Sequence, residues 1–405
     1  MVLTKGSPST LVIRLLLAVL AIVLGYVSLT RSIAAVLHDN AVERAHRLAP
    51  ENARIAGVLS AVLSTDQKAS RNQRAQADEI AREALRRDPT VVAAVATLGL
   101  NAQLRGDTAA ARRLFAYSNK LSRRDLRTQL WAIEDAVARN DIPGALYQYD
   151  VALRTQTIGG SLLFPILASA LTDPEIRTAL IKTMVRGAPW GKDFSIYAAA
   201  ASASPKSVAQ LLTGMRRAGL TVPEAAQARA VDALLATNDI NGAWAYYASF
   251  RRGTSRDASR DPRFTAQQTT PTQFDWVAVD NPDATSSVQA SPAGGRFDFT
   301  ASTSTNGPML RQVELLPAGD YVLEGMMTGI DGMEAALPYW SLTCRDGKEL
   351  GRATIPANGR FAATIRVGSD CPLQVLALMA RASDQSSSIA GQVTQARLRS
   401  VARGR

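Results

Sequence analysis

Histidine and cysteine are scarce in this sequence, with two of each among 405 residues. His38 and His46 both follow closely behind the one long apolar run, so no Ser-His-Asp or Cys-His arrangement is available to the body of the chain. Two thiols without a nearby histidine are too few ligands for a zinc site. Phosphate-loop and dinucleotide fingerprints are absent, and Gly294-Gly295 reads as a turn. Aromatic residues make up only 6% and do not interleave with the basic ones, which removes the main signature of nucleic-acid binding despite a formal net charge of +11. The basic residues are mixed with acids along helical stretches; solvated helix faces, with attraction to anionic headgroups or acidic polysaccharide, account for them. Acid pairs such as Asp280 and Asp283 sit in a turn-rich stretch and read as turn caps, leaving a membrane-bound glycosidase or lyase as a remote alternative. The expectation is a non-enzyme with no cofactor and no metal.

The long apolar run, Leu11 to Leu29, has the length needed to cross a bilayer as a helix. Arg14 is its only charge and lies within a turn of the start, where a guanidinium can snorkel to the headgroups. Lys5 and the amino terminus precede the span, and Arg14 stands at its start. This predicts residues 1–10 as a cytoplasmic tail, 11–29 as a single transmembrane helix and the bulk of the chain across the membrane. Arg31, Arg44 and Arg47 follow the span and weaken the bias. A cleaved signal peptide is the rival reading, with Ser32 to Ala34 as a small-x-small site. Against it, the run is longer than a signal core and the helical pattern continues through Leu37. No polar stripe marks it as a buried core helix. Cys344 and Cys371 each sit in strand-like surroundings; in an oxidising compartment they are expected to close a disulfide, contributing about 3 kcal/mol on a chain-entropy model, with unpaired buried thiols as the alternative.

Residues 30–250 are helical in pattern. From Val95 the chain reads V-x-x-L-G at Leu98-Gly99, a turn signal at Gly106-Asp107, then Ala111 and Phe115. Adding the 34-residue tetratricopeptide period moves these last three to Asn140-Asp141, Ala145 and Tyr149, all chemically matched. Gly or Asn suits a left-handed inter-helix turn. Ala77, Ala84 and Pro89 match a preceding unit, Ala41–Ala53 an earlier echo and Asn238–Tyr247 a later one. The segment resembles tetratricopeptide repeats, with departures: Gln129 replaces the usual large aromatic and Arg123 the closing proline. The resemblance implies helical hairpins stacked into a superhelix that binds protein partners through a groove lined by first helices, with Asn101 and Gln129 as exposed groove residues. Between Ser161 and Pro223 the period is lost; Pro174, Pro189, Pro205 and Pro223 are each expected near a helix boundary. An irregular helical bundle is the alternative for the whole region.

The stretch Arg251 to Arg263, RRGTSRDASRDPR, reads as part of a solvated linker over 251–272. From 273 to 405 short alternating runs are punctuated by turns, with Asp346-Gly347 and Asn358-Gly359 as hairpin cues. This predicts an antiparallel β-sandwich of the jelly-roll type, so that the whole chain is multidomain α + β: transmembrane helix, helical-hairpin superhelix, sandwich. Phe274 and Trp276 are expected on one face of its first strand, Trp276 in the core. Tyr339 and Trp340 face opposite ways in a later strand, so one of them is a candidate glycan-stacking ring.

The Phe-Asp-Trp opening, Leu316 to Tyr321 (L-P-x-G-x-Y) and the two cysteines loosely resemble carbohydrate-binding-module jelly rolls. The architecture as a whole resembles tetratricopeptide-containing envelope proteins of Gram-negative bacteria associated with exopolysaccharide machinery. That resemblance implies a bacterial inner-membrane, periplasm-facing accessory that engages a protein partner of an envelope complex, with a polysaccharide as the alternative ligand and no nucleic acid.

Overall fold

The computed structural model describes residues 8–37, 40–66, 69–156, 159–330, 337–383 and 388–401. His38 and residues 1–7 of the expected cytoplasmic tail lie outside the described residues. The chain divides into two compact units, Met1–Gly160 and Ser161–Arg405, so the later helices fall in the same unit as the sandwich.

In the first unit, α1 (Pro8–Leu37) is unbroken. Its segment Val12–Leu37 is long and apolar enough to cross a membrane; its most apolar stretch has a mean hydropathy of 2.5 and no part of it is buried. Its end is held by small side chains: Ala34 packs with Ala45 and Ala49 around α2 (Val42–Leu48) and with Ile55 of α3 (Ala53–Thr65). Three hairpins follow. α3 pairs with α4 (Arg71–Arg87), α5 (Val92–Leu104) with α6 (Thr108–Leu121), and α7 (Leu126–Ala138) with α8 (Ile142–Thr155). α5 begins at Val92 and α7 at Leu126, an offset of 34 residues, and α6 and α8 keep the same offset from Thr108 to Ile142.

The turns repeat in backbone geometry as well. Gly106 (φ 84°) and Asn140 (φ 56°) each take the left-handed conformation, which lets the last turn of the preceding helix close on itself. Asp107 and Asp141 then cap the next helix by accepting the amide hydrogens of Ala110 and Gly144, each at 2.9 Å. Asn238 (φ 61°) and Asp239, capping Gly242 at 2.9 Å, repeat the device in the second unit. Ala111 and Ala145 are buried where paired helices meet, and Tyr149 is buried beside them on α8. Leu98, half-buried, packs on the alanines of α4. Phe115 stacks on Trp131 with ring centroids 4.6 Å apart, and a Cβ on Gly99 would meet the Phe115 ring at 2.9 Å.

In the second unit, α9 (Gly159–Ser169, whose first two residues belong to the first unit), α10 (Pro174–Val185), α11 (Gly191–Ala201), α12 (Pro205–Arg217), α13 (Glu224–Ala236) and α14 (Ile240–Ala248) precede the sandwich. Pro174 and Pro205 open their helices and Pro223 caps α13, as expected of residues lacking an amide hydrogen. Ten strands follow among the described residues: β1 (Val277–Ala278), β2 (Ala284–Gln289), β3 (Arg296–Ala301), β4 (Gly307–Glu314), β5 (Gly319–Thr328), β6 (Tyr339–Cys344), β7 (Glu349–Thr354), β8 (Arg360–Val367), β9 (Gln374–Ala380) and β10 (Ile389–Ser400). They form two antiparallel sheets, β1-β4-β9-β6-β7 and β2-β3-β10-β5-β8. With β1 and β2 set aside, β4-β9-β6-β7 lies against β3-β10-β5-β8, the strand order of a jelly roll.

Three expectations change. Asp346-Gly347 does close the β6–β7 hairpin, but Asn358-Gly359 lies on the passage from β7 in one sheet to β8 in the other. Phe274 and Trp276 precede β1 and serve different clusters: Phe274 packs on Trp244 and Tyr247 of α14, whereas Trp276 enters the sandwich core. Residues 251–263 are solvated only in part: Arg252, Gly253, Ser255, Asp257 and Arg263 are exposed, but Ser259 is buried. Arg260 is buried, Ala258 bridges Arg399 of β10, and nearby Phe264 is wholly buried in the core between the sheets.

Ala111 is fully enclosed among Ala96, Ala102 and Phe115. Ala111→Leu is expected to destabilise the first unit by about 1–3 kcal/mol through overpacking, read as a lower unfolding midpoint of the detergent-solubilised chain. An unchanged midpoint would show that the helices separate freely there.

Candidate interaction grooves

Asn101 and Gln129 are not exposed groove residues; they are 1% and 0% accessible. Their side chains join helices instead. Asn101 Nδ2 donates to Asp78 Oδ1 at 2.7 Å and to the Arg74 carbonyl at 3.2 Å, while its Oδ1 accepts the Ser64 hydroxyl at 2.6 Å. One amide thereby ties α5 to α3 and α4. Gln129 Nε2 donates to Asn119 Oδ1 at 3.0 Å and to the Arg123 carbonyl at 3.3 Å, tying α7 to α6 and to the turn between them. The two residues predicted to face a partner are each answered instead by polar groups of neighbouring helices and turns.

Above Asn101 lies a groove of about 790 Å³ lined by Arg71, Arg74, Asp78 and Arg82 of α4 with Leu104 and Arg105 at the end of α5. Asp78 is buried, and its Oδ2 accepts from Arg105 Nη1 at 2.9 Å and Arg82 Nη2 at 3.4 Å. A second, smaller groove of about 270 Å³ has Phe115 and Trp131 among its lining residues, with Asp135 between Arg112 (2.9 Å) and Arg139 (3.2 Å). Neither arginine cluster was singled out from sequence. The signal was present in the 3-, 4- and 4-residue steps of Arg71, Arg74, Asp78 and Arg82, which place all four on one helix face.

On the sandwich, Trp340 is wholly buried, with Trp276 at 5.7 Å and Phe361 at 5.9 Å between ring centroids. It is a core residue and offers no stacking surface. Tyr339 does face the other way, half-buried, but the guanidinium groups of Arg352 and Arg381 each lie 4.9 Å from its ring centre. Cys344 and Cys371 are bonded. Cys371 sits in the loop before β9 rather than in a strand, three residues ahead of Gln374, which pairs with Cys344. Among the described residues no group of three or more His, Cys, Asp or Glu side chains could hold a metal ion.

The end of the helical segment is joined to the sandwich by buried charge. Arg260 pairs with Glu314 at 2.7 Å, donates through Nε to the Phe274 carbonyl at 2.6 Å, and packs over Trp244 and Phe274. Tyr247 donates to Asp275 Oδ1 at 2.9 Å. Full burial pushes the Glu314 carboxyl up to about 7, with Arg260 opposing the shift. No family model and no curated protein sequence matches the chain.

Because Glu314 holds its proton more tightly folded than unfolded, its contribution to stability is full below the ordinary carboxyl range and is lost as pH rises through about 7. The second unit is therefore expected to unfold at a lower temperature at pH 8 than at pH 5. Glu314→Gln should flatten that slope, measured by calorimetry across the range. A slope unchanged in the variant would assign it elsewhere.

Proposed function

We propose that this chain is a non-enzymatic, membrane-tethered scaffold. In this reading α1 is the anchor, its amino-terminal side is in the cytoplasm, and both compact units work in the periplasm of a bacterial envelope. The observation that carries it is the pair of hairpins offset by 34 residues with the same left-handed turn and aspartate cap, joined by grooves between helices. Repeated hairpins of this kind resemble tetratricopeptide units and suit capture of a protein partner. The Cys344–Cys371 bond is consistent with an oxidising compartment. By the resemblance of its architecture, the partner belongs to a complex that makes or exports an envelope polysaccharide.

A second reading, glycan binding by the sandwich, is favoured by its jelly-roll strand order, which lectin domains share. With Trp340 in the core it rests on Tyr339 and on the polar outer face of the β2-β3-β10-β5-β8 sheet.

Two measurements test the scaffold. Alkaline phosphatase fused to the carboxyl terminus should be active, and a reporter that works only in the cytoplasm should be silent; the reverse would overturn the orientation. Cross-linking in intact membranes followed by affinity purification should recover a partner with the full chain and lose it when α3–α8 are removed. Capture that survives the removal would move the function to the sandwich.

A further inference from the structure

Resting on the scaffold reading, we infer that the groove above Asn101 takes an acidic, partly apolar polypeptide segment of the partner. Four guanidinium groups reach this groove against two carboxylates, Asp78 and Glu79. Asp78 is already engaged by Asn101, Arg82 and Arg105, and it is buried, so it offers nothing to a ligand. Among the described residues Arg71 and Arg74 have no ion-pair partner, and Arg71 is exposed and Arg74 half-buried. The unmet demand is for anionic oxygen in a planar arrangement, which is what carboxylates present to arginine.

The dimensions select a chain over a single ion. Arg71 and Arg82 are eleven residues apart on α4, roughly 16 Å along the axis, which an extended peptide covers in about five residues. Acidic side chains on alternate residues of such a peptide would face the arginines together. Leu104, 53% exposed at the groove wall, gives an apolar neighbour a surface to cover. Among the described residues no aromatic ring lines the groove, so a sugar would find no stacking platform there.

The test uses the full chain in nanodiscs of zwitterionic lipid and a fluorescein-labelled peptide of alternating glutamate and leucine, followed by anisotropy. Binding is expected, with an otherwise identical lysine-leucine peptide inert. The double variant Arg71→Gln, Arg74→Gln should weaken binding by roughly tenfold or more, whereas Arg366→Gln on the sandwich should leave it unchanged. Equal binding by the double variant, or no binding by the wild type, overturns the inference. So does tighter, Arg71- and Arg74-dependent binding of oligogalacturonate or of vesicles containing phosphatidylglycerol, which would make the groove a site for acidic glycan or lipid. The cross-linked partner separates this inference from the scaffold reading. Capture that survives the double variant but is lost on removal of α3–α8 overturns the acidic-segment assignment alone, and capture lost in both supports it.

Discussion

The first unit depends on alanine. The buried faces of its helices carry Ala45, Ala56, Ala77, Ala81, Ala84, Ala94, Ala102, Ala111 and Ala152, and few large side chains. Each buried alanine removes little apolar surface from water, so hydrophobic burial per residue is modest. The compensation is close approach. Backbones lie near enough for many weak dispersion contacts, and near enough for short polar side chains to bridge them. Ser60 reaches Thr97 at 3.3 Å, Ser64 reaches Asn101 at 2.6 Å, and Ser118 and Thr128 are 2.7 Å apart. Such bonds are strong in a low-dielectric interior and tolerate little misalignment, so they fix which helix sits against which.

The second unit solves the same problem with large groups. Trp276, Trp340, Phe297, Phe361 and Phe264 fill the space between the sheets, and a further aromatic set, Trp244, Tyr247, Phe250 and Phe274, covers the junction with the helices. Burying Arg260 with Glu314 there is expensive in desolvation, and a well-packed apolar pair is often at least as stable. What the ion pair adds is direction. Arg260 donates to the carbonyls of Phe274 and Val313, so the chain after α14 has one seat on β4 rather than a slippery apolar contact.

Much of the fold was legible because its signals are local. The turn pairs Gly106-Asp107 and Asn140-Asp141 follow from backbone energetics alone, β8 matches the alternation of its sequence from end to end, and β6 does so except at Ser341, which is buried. What was illegible required knowledge of a distant partner. Asn101 and Gln129 read as exposed because a polar residue is exposed unless something answers it, and for Asn101 the answer is Asp78, 23 residues away. The same reasoning made Arg260 part of a linker, when its acceptors lie 14 and 53 residues on. β2 and β7 are edge strands with weak local signals: ATSSVQ has no buried residue, ELGRAT buries only Ala353, and neither holds an aromatic ring. Trp340 was ambiguous because alternation says that Tyr339 and Trp340 face opposite ways without saying which face is inside.

The arginine groove shows how interior and surface are linked in this chain. Arg82 and Arg105 have side chains about half exposed, and ion pairs at such positions are worth little on their own, so contact with Asp78 restrains their direction more than it neutralises them. Asp78 in turn is held by Asn101, which is held by Ser64. The position of surface charge is therefore set from beneath, through bonds that exist only while α3, α4 and α5 remain at alanine spacing. A larger residue at Ala77 or Ala81 would separate the helices, lengthen the Asn101–Asp78 bond and leave a buried carboxylate to find new partners. The guanidinium groups would follow it. In such a unit the small side chains of the core help to set where the surface charges stand, although they lie beneath that surface.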